Sequence, residues 1–184
     1  MNDFRPYRFS PISTKQELLE AINHIHLSSY NLCKNSFGEY LPNSGNLGIF
    51  CHYDEEFEFL KTLRDDMAEP TDNLDLKYYT LTEPILIKAK GDVPEAIYTH
   101  LYIRRPDPYR YQTGDIDFYL PQTDYEILKG EMLEGRHIDG ARVFERPDLD
   151  MIELYNPDID VLAYVSTDTM TEAVRVKLSD ATKL

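Results

Sequence analysis

Apolar residues recur along this chain with two periods, and the switches between them mark out the elements. From Thr14 onward, Leu18, Ile22, Ile25 and Leu32 fall at helical spacing. Thr14 with Glu17 three residues later forms a capping box, so a helix is predicted to run to about Lys34. A turn-rich stretch, 35–47, gives way to the alternation of Ile49 and Cys51 against Phe50 and His52, which reads as a strand over Leu47–Tyr53. Asp54, Glu55 and Glu56 then open a second helix, their charges placed against its N-terminal dipole. Its buried stripe is Phe57, Leu60, Leu63 and Met67, and Pro70 stops it. Lys77–Ala89 alternates as a strand broken near Pro84.

The most patterned stretch is Ala96–Leu120. Ile97, Leu101 and Ile103, with Thr99 among them, alternate with Tyr98, His100, Tyr102 and Arg104. Ile116, Phe118 and Leu120 alternate with Asp115, Asp117 and Tyr119. Two strands joined by a loop rich in arginine and tyrosine are predicted to pair as a hairpin. A register that keeps both apolar sets on one side sets Arg104 opposite Asp115, Tyr102 opposite Asp117 and His100 opposite Tyr119.

Beyond it, Thr123 and Glu126 suggest a capping box for a short helix to about Glu134, and Arg136–Arg146 reads as a basic turn. Met151–Tyr155 and Val161–Thr167 read as a closing hairpin. Residues 1–13 form an extended arm, and 168–184 a C-terminal helix or tail. No internal repeat is visible. Runs of adjacent strands favour one α+β domain over 1–184, with a mostly antiparallel central sheet and three to four flanking helices.

Composition narrows the partners. The net charge of −14 argues against non-specific binding to nucleic acid or to anionic membrane. Cys33 and Cys51 make neither a disulfide framework nor a C-x-x-C site, so both are expected to be buried packing residues. The start, MNDFRPYRF, lacks the apolar core of a signal peptide, and no apolar run approaches a membrane span. A cytoplasmic protein is expected.

The chemistry concentrates on the polar face of the central stretch. His100 beside Asp115 and Asp117 is acid–base material, and these three are the candidate catalytic residues. Tyr98, Tyr102, Arg104, Arg105, Arg110 and Tyr119 are the candidate ligand-binding residues. Guanidinium groups clamp carboxylate or phosphate, and tyrosines offer stacking faces. A divalent metal is a further candidate, held by His52, His100 and Asp117. His24 and His26, two apart on a helix, point to different sides and suit no joint ligation. Gly114-Asp115-Ile116-Asp117 resembles the strand-borne Asp-x-Asp of the polymerase-β-like nucleotidyltransferases, though the Gly-Ser turn of that family is missing. The predicted order over 47–120, β-α-β-β-β, resembles the half-module of the vicinal oxygen chelate (glyoxalase-like) proteins. That resemblance implies a sheet folded around a metal, with His52 and Asp117 as ligands, and leaves open a homodimer that completes the site.

The function these readings support is a small-molecule enzyme or binding protein for an anionic ligand. The rival is a non-catalytic interaction module whose acidic surface meets a basic protein, with the Tyr/Arg loop as the contact.

Overall fold

The computed structural model describes residues 6–177. Its elements are α1 (Lys15–Phe37), β1 (Asn43–Phe50), α2 (Asp54–Met67), β2 (Tyr79–Ile87), β3 (Ala96–Arg104) and β4 (Gly114–Leu120). There follow α3 (Gln122–Leu133), β5 (Ala141–Arg146), β6 (Leu149–Leu154), β7 (Leu162–Thr167) and α4 (Asp168–Ala173). The first helix begins where its capping box places it: the Thr14 hydroxyl accepts from the Glu17 backbone N–H, and the Glu17 carboxylate accepts from the Thr14 backbone. It ends at Gly38, whose φ of 76° is the left-handed conformation that closes helices most readily when no Cβ is present. The second helix spans the predicted residues. The third starts at Pro121 without a side-chain cap, so the box expected of Thr123 and Glu126 does not form.

The strands make one seven-stranded sheet in the order β2-β3-β1-β4-β7-β6-β5. The sheet is mixed, not mostly antiparallel: β1 runs parallel to β3, and β4 parallel to β7. The reason is topological. A strand, a helix and returning strands occur twice, as β1-α2-β2-β3 and as β4-α3-β5-β6-β7, and each time the last strand lies parallel beside the first. The two units meet where β1 and β4 pair antiparallel. The basic segment read as a turn supplies the edge strand β5, paired along its whole length with β6.

The predicted hairpin therefore does not exist. β3 and β4 are antiparallel to each other, but β1 lies between them. The pairings of Arg104 with Asp115, Tyr102 with Asp117 and His100 with Tyr119 are replaced by pairings of each strand with β1.

The sheet carries helices unequally. Leu47, Ile49, Leu101, Ile103, Ile116, Phe118 and Val165 pack under α1, α2 and α3 in one core. On the opposite face, among the described residues, α4 and two crossing segments cover the centre. There Leu76 bridges Val176, and the backbone N–H groups of Lys77 and Tyr78 both donate to the Arg175 carbonyl. A smaller apolar cluster of Tyr78, Met151 and Val174 lies beneath them.

Asp160 pins the arm to the body. Its carboxylate accepts from Arg8 at 2.9 Å and meets His24 at 2.7 Å, while the Thr113 backbone N–H donates to its carbonyl at 2.7 Å. Burial alone would raise its pKa, but the bonds from His24 and Arg8 outweigh burial and hold it below the usual carboxylate range. A group depressed in the fold stabilises it above the unfolded pKa of about 4 and loses that contribution as pH falls below it. Asp160→Ala is expected to cost about 2 kcal/mol at pH 7, read by urea unfolding, and to expose residues 6–12 to proteolysis. Unchanged stability at pH 7 would show that the anchoring lies elsewhere.

Candidate functional site

Two rows of side chains cross the open face of the sheet. In one, β1 sets Gly48 between Tyr102 of β3 and Asp115 of β4. Because Gly48 has no side chain, the carboxylate lies over its backbone; a Cβ at Gly48 would collide with Asp115 Oδ1. Gly114 does the same one residue earlier, where a Cβ would collide with the Gly48 carbonyl oxygen. These two glycines let β1 and β4 close up beneath the acid. In the second row, Asn46 lies between His100 and Asp117. Its amide donates to Asp117 Oδ2 at 2.8 Å and to the Thr171 carbonyl of α4 at 2.7 Å. Its own oxygen accepts from Arg175 Nε at 2.8 Å.

Above this floor is a cavity of about 270 Å³. Asp115 and Asp117 form its base; Tyr78, Tyr102 and Tyr164 form its walls. Lys77, Arg104 and Arg110 bring positive charge, with Arg146 at the rim. Both carboxylates are buried, at 7% and 3% exposure, and Asp115 Oδ1 has no hydrogen-bond partner among the described residues. Burial, reinforced by the charge of Asp117, pushes the Asp115 carboxyl up to about 7, and the surrounding cations offset only part of that rise. Burial raises Asp117 as well, partly countered by the bond from Asn46. Burial and the two carboxylates keep the Tyr78 phenol protonated, so it is a donor here. The arrangement offers a carboxyl able to gain or lose a proton at neutral pH, together with phenol donors and cations.

The remaining candidates are distributed as follows. His100 shares the face of the aspartates but not their company, since Asn46 separates it from Asp117 by two strand spacings, about 10 Å. Its ring meets the hydroxyls of Thr99 at 2.8 Å and Thr80 at 3.4 Å. Burial and the nearby Arg175 push its pKa down to about 4, so it is neutral at pH 7. His52 follows β1 at the far end, stacked on Tyr7 and bonded to Ser10 Oγ at 2.6 Å. The set His52, His100 and Asp117 is thus not assembled, and among the described residues no group of three or more His, Cys, Asp or Glu could hold a metal. The side chains present do not fit the metal that the glyoxalase-like element order implies.

Tyr98 belongs to the other side of the sheet, fully buried under α1 with its hydroxyl 2.8 Å from His26 Nδ1. Tyr98 and Leu101 both turn to the helices while Thr99 and His100 turn away, and strict alternation forbids this without an irregularity in the strand. The break lies in the β2–β3 pairing, whose register shifts between Thr80 and Ile85. It also turns Ile97 out to 55% exposure. Tyr119 continues the face of Asp117 beyond the cavity, paired with Ser166. Arg105 lies outside the cavity over the Phe57 ring. Arg104 and Arg110 line it, although Arg104 is also paired with Asp107 at 2.7 Å.

No protein-family model matches this chain, and no curated protein matches it. Among solved structures it is similar to the structural-genomics protein EC4020, with a TM-score of 0.58 over 86% of this chain and 90% of that one, at 16% identity. The likeness is one of fold. Two variants of Streptomyces coelicolor methylmalonyl-CoA epimerase, each in complex with 2-nitronate-propionyl-CoA, align over 68% of this chain and 98% of theirs at 16% and 15% identity. Their TM-score of 0.28 is too low to indicate a common fold.

Sequence reasoning missed Asn46, Gly48, Lys77, Tyr78 and Tyr164. Gly48 carried a signal, because a glycine inside an apolar alternation marks a close approach of backbone or ligand. Lys77 and Tyr78 carried none. They reach the site because the segment before β2 crosses the sheet to meet the tail after α4.

Proposed function

We propose that this protein binds a small anionic molecule in the cavity over β1 and β4, and that Asp115 transfers a proton to or from it. The observation that carries the reading is the Asp115 carboxyl: buried at the base of a cavity, unpartnered at Oδ1 among the described residues, and raised above the usual carboxylate range by burial and by Asp117. An unpaired buried polar atom costs about 1–3 kcal/mol, and such costs gather where ligands complete the bonding. Lys77 and Arg110, which form no ion pair among the described residues, are placed to hold the ligand's charge. Tyr78 and Tyr102 supply hydrogen bonds. The cavity volume lies at the lower edge of ligand sites, which suits a compact metabolite. His100, expected to carry the proton chemistry, is given a supporting place, and the metal has none.

The concavity favours this reading over an interaction module, for which a flat exposed patch is expected. The test is thermal denaturation and calorimetry against inorganic phosphate, phosphate monoesters and short mono- and dicarboxylates. At least one should stabilise the protein at pH 6, and Arg110→Met should abolish the effect with the fold retained. An anion beside Asp115 disfavours its ionised form, so binding takes up a proton. Affinity should then fall by up to about tenfold per pH unit above 7, and Asp115→Asn should remove that dependence. Absence of stabilisation by every anion at pH 6, where Asp115 is protonated, would sink the proposal.

A further inference from the structure

Beside the cavity lies a second depression that the proton-transfer reading leaves unused. This groove has a volume of about 1030 Å³ and runs from α2 past β3 to the tail. Lys77, Tyr102 and Arg104 line both, so the cavity and the groove adjoin across these three side chains. The groove's charge runs against that of the molecule. In a chain of net charge −14 it gathers six of the nineteen Lys and Arg residues and a single acid, Asp107.

Arginines that merely neutralise a protein's own acids should each have a carboxylate beside them. Three of the six cations fit that description: Lys61 lies near Glu58, Arg64 bonds Asp65 and Arg104 bonds Asp107. Lys77, Arg105 and Lys177 have no carboxylate within 4 Å among the described residues, although the Lys177 ammonium donates to the Leu74 carbonyl. Lys77 faces the cavity carboxylates at longer range, whereas Arg105 and Lys177 have no such countercharge; like charges held together raise each other's energy, and a multiply charged anion relieves this. The groove is aromatic as well. The Arg105 guanidinium lies 4.7 Å over the Phe57 ring, and that of Arg64 lies 3.7 Å over the Tyr79 ring. Guanidinium groups oriented by rings beneath them form flat cationic faces that suit phosphate and planar bases.

We propose that this groove binds the polyphosphate-bearing tail of the same molecule whose reacting end enters the Asp115 cavity, which makes the substrate a nucleotide-linked or otherwise multiply phosphorylated compound. The inference rests on the proposed function for the reacting end, but the groove can be tested alone. A long nucleic acid is disfavoured as occupant, because the acidic remainder of the surface repels a polyanion extending beyond the groove.

The test is calorimetry of the full chain with inorganic tripolyphosphate and with ADP at low salt, for wild type, for Arg105→Met/Lys177→Met and for Arg110→Met. Wild type should bind both probes, with affinity falling as salt rises. The groove variant should lose at least tenfold, while its response to the small anions of the cavity stays intact. Arg110→Met should show the reverse, so failure of the groove and failure of the cavity reading are told apart. Tighter binding of ADP than of tripolyphosphate identifies a nucleotide tail, and equal binding identifies phosphate alone; both support the proposal. Absence of binding to either probe, affinities indifferent to the groove variant, or an oligonucleotide bound more tightly than ADP would each overturn it.

Discussion

Replacing Asp115 by Asn should make the protein more stable, and increasingly so as the pH rises. Burial and the neighbouring Asp117 raise this carboxyl far above the 3.8 of the free group, so above pH 4 the native state keeps a proton that the unfolded chain releases. Stability is then lost as pH climbs from about 4 to about 7 and stays low above it. The histidines work against this slope. Burial lowers His26 and His100 to about 4 and lowers His52 as well, and neutral burial of a histidine is favoured by rising pH. The informative quantity is therefore the difference between variant and wild type. It should grow in the variant's favour by about 2–3 kcal/mol between pH 5 and pH 8, measured by urea unfolding. A difference that stays constant across this range would show that Asp115 is not held protonated. A residue that destabilises the fold it sits in is expected where stability has been exchanged for function.

The second large effect is expected at Gly114. A Cβ there would lie 2.6 Å from Ile25 Cδ1 and would overlap the carbonyl oxygen of Gly48, which is backbone in the central strand pair. A side-chain end can rotate away; a backbone oxygen bound into a sheet cannot. Gly114→Ala should cost about 3 kcal/mol, which lowers the melting temperature of a chain this size by about 10 °C. Gly130 supplies the contrast. It lies in α3 with nothing within 4 Å of its missing Cβ, so Gly130→Ala should stabilise by about 0.5–1 kcal/mol. If both substitutions prove neutral, the close approach of β1 and β4 does not hold.

Local signals matched the structure at α1 and α2, though not at α3, whose Thr123 and Glu126 form no capping box. Thr14 and Glu17 cap α1, and the apolar stripe of Phe57 and Leu60 buries α2, because capping and amphipathic burial depend on residues three or four apart. The alternation of β4 placed Asp115 and Asp117 together on the face away from Ile116 and Phe118. The alternation of β3 was right from His100 onward and wrong over Ile97, Tyr98 and Thr99, where an irregularity between Thr99 and His100 reversed the face. Nothing in the residues of β3 announces that break. It coincides with irregularities in both neighbours, a register shift in β2 between Thr80 and Ile85 and one in β1 between Asn43 and Leu47.

Pattern and composition by themselves determined that this chain forms helices over the predicted cores of α1 and α2. They also determined that β4 alternates and carries Asp115 and Asp117 on a polar face. The tertiary structure alone decided who faces whom. Strand pairing is set by sheet-wide burial of apolar faces, so β1, some fifty residues upstream of β3, displaced the local hairpin partner. That insertion put Gly48 beneath Asp115 and Asn46 between His100 and Asp117. The buried Asp115 carboxyl thereby lies at the base of the cavity, and His100 lies two strands away from Asp117.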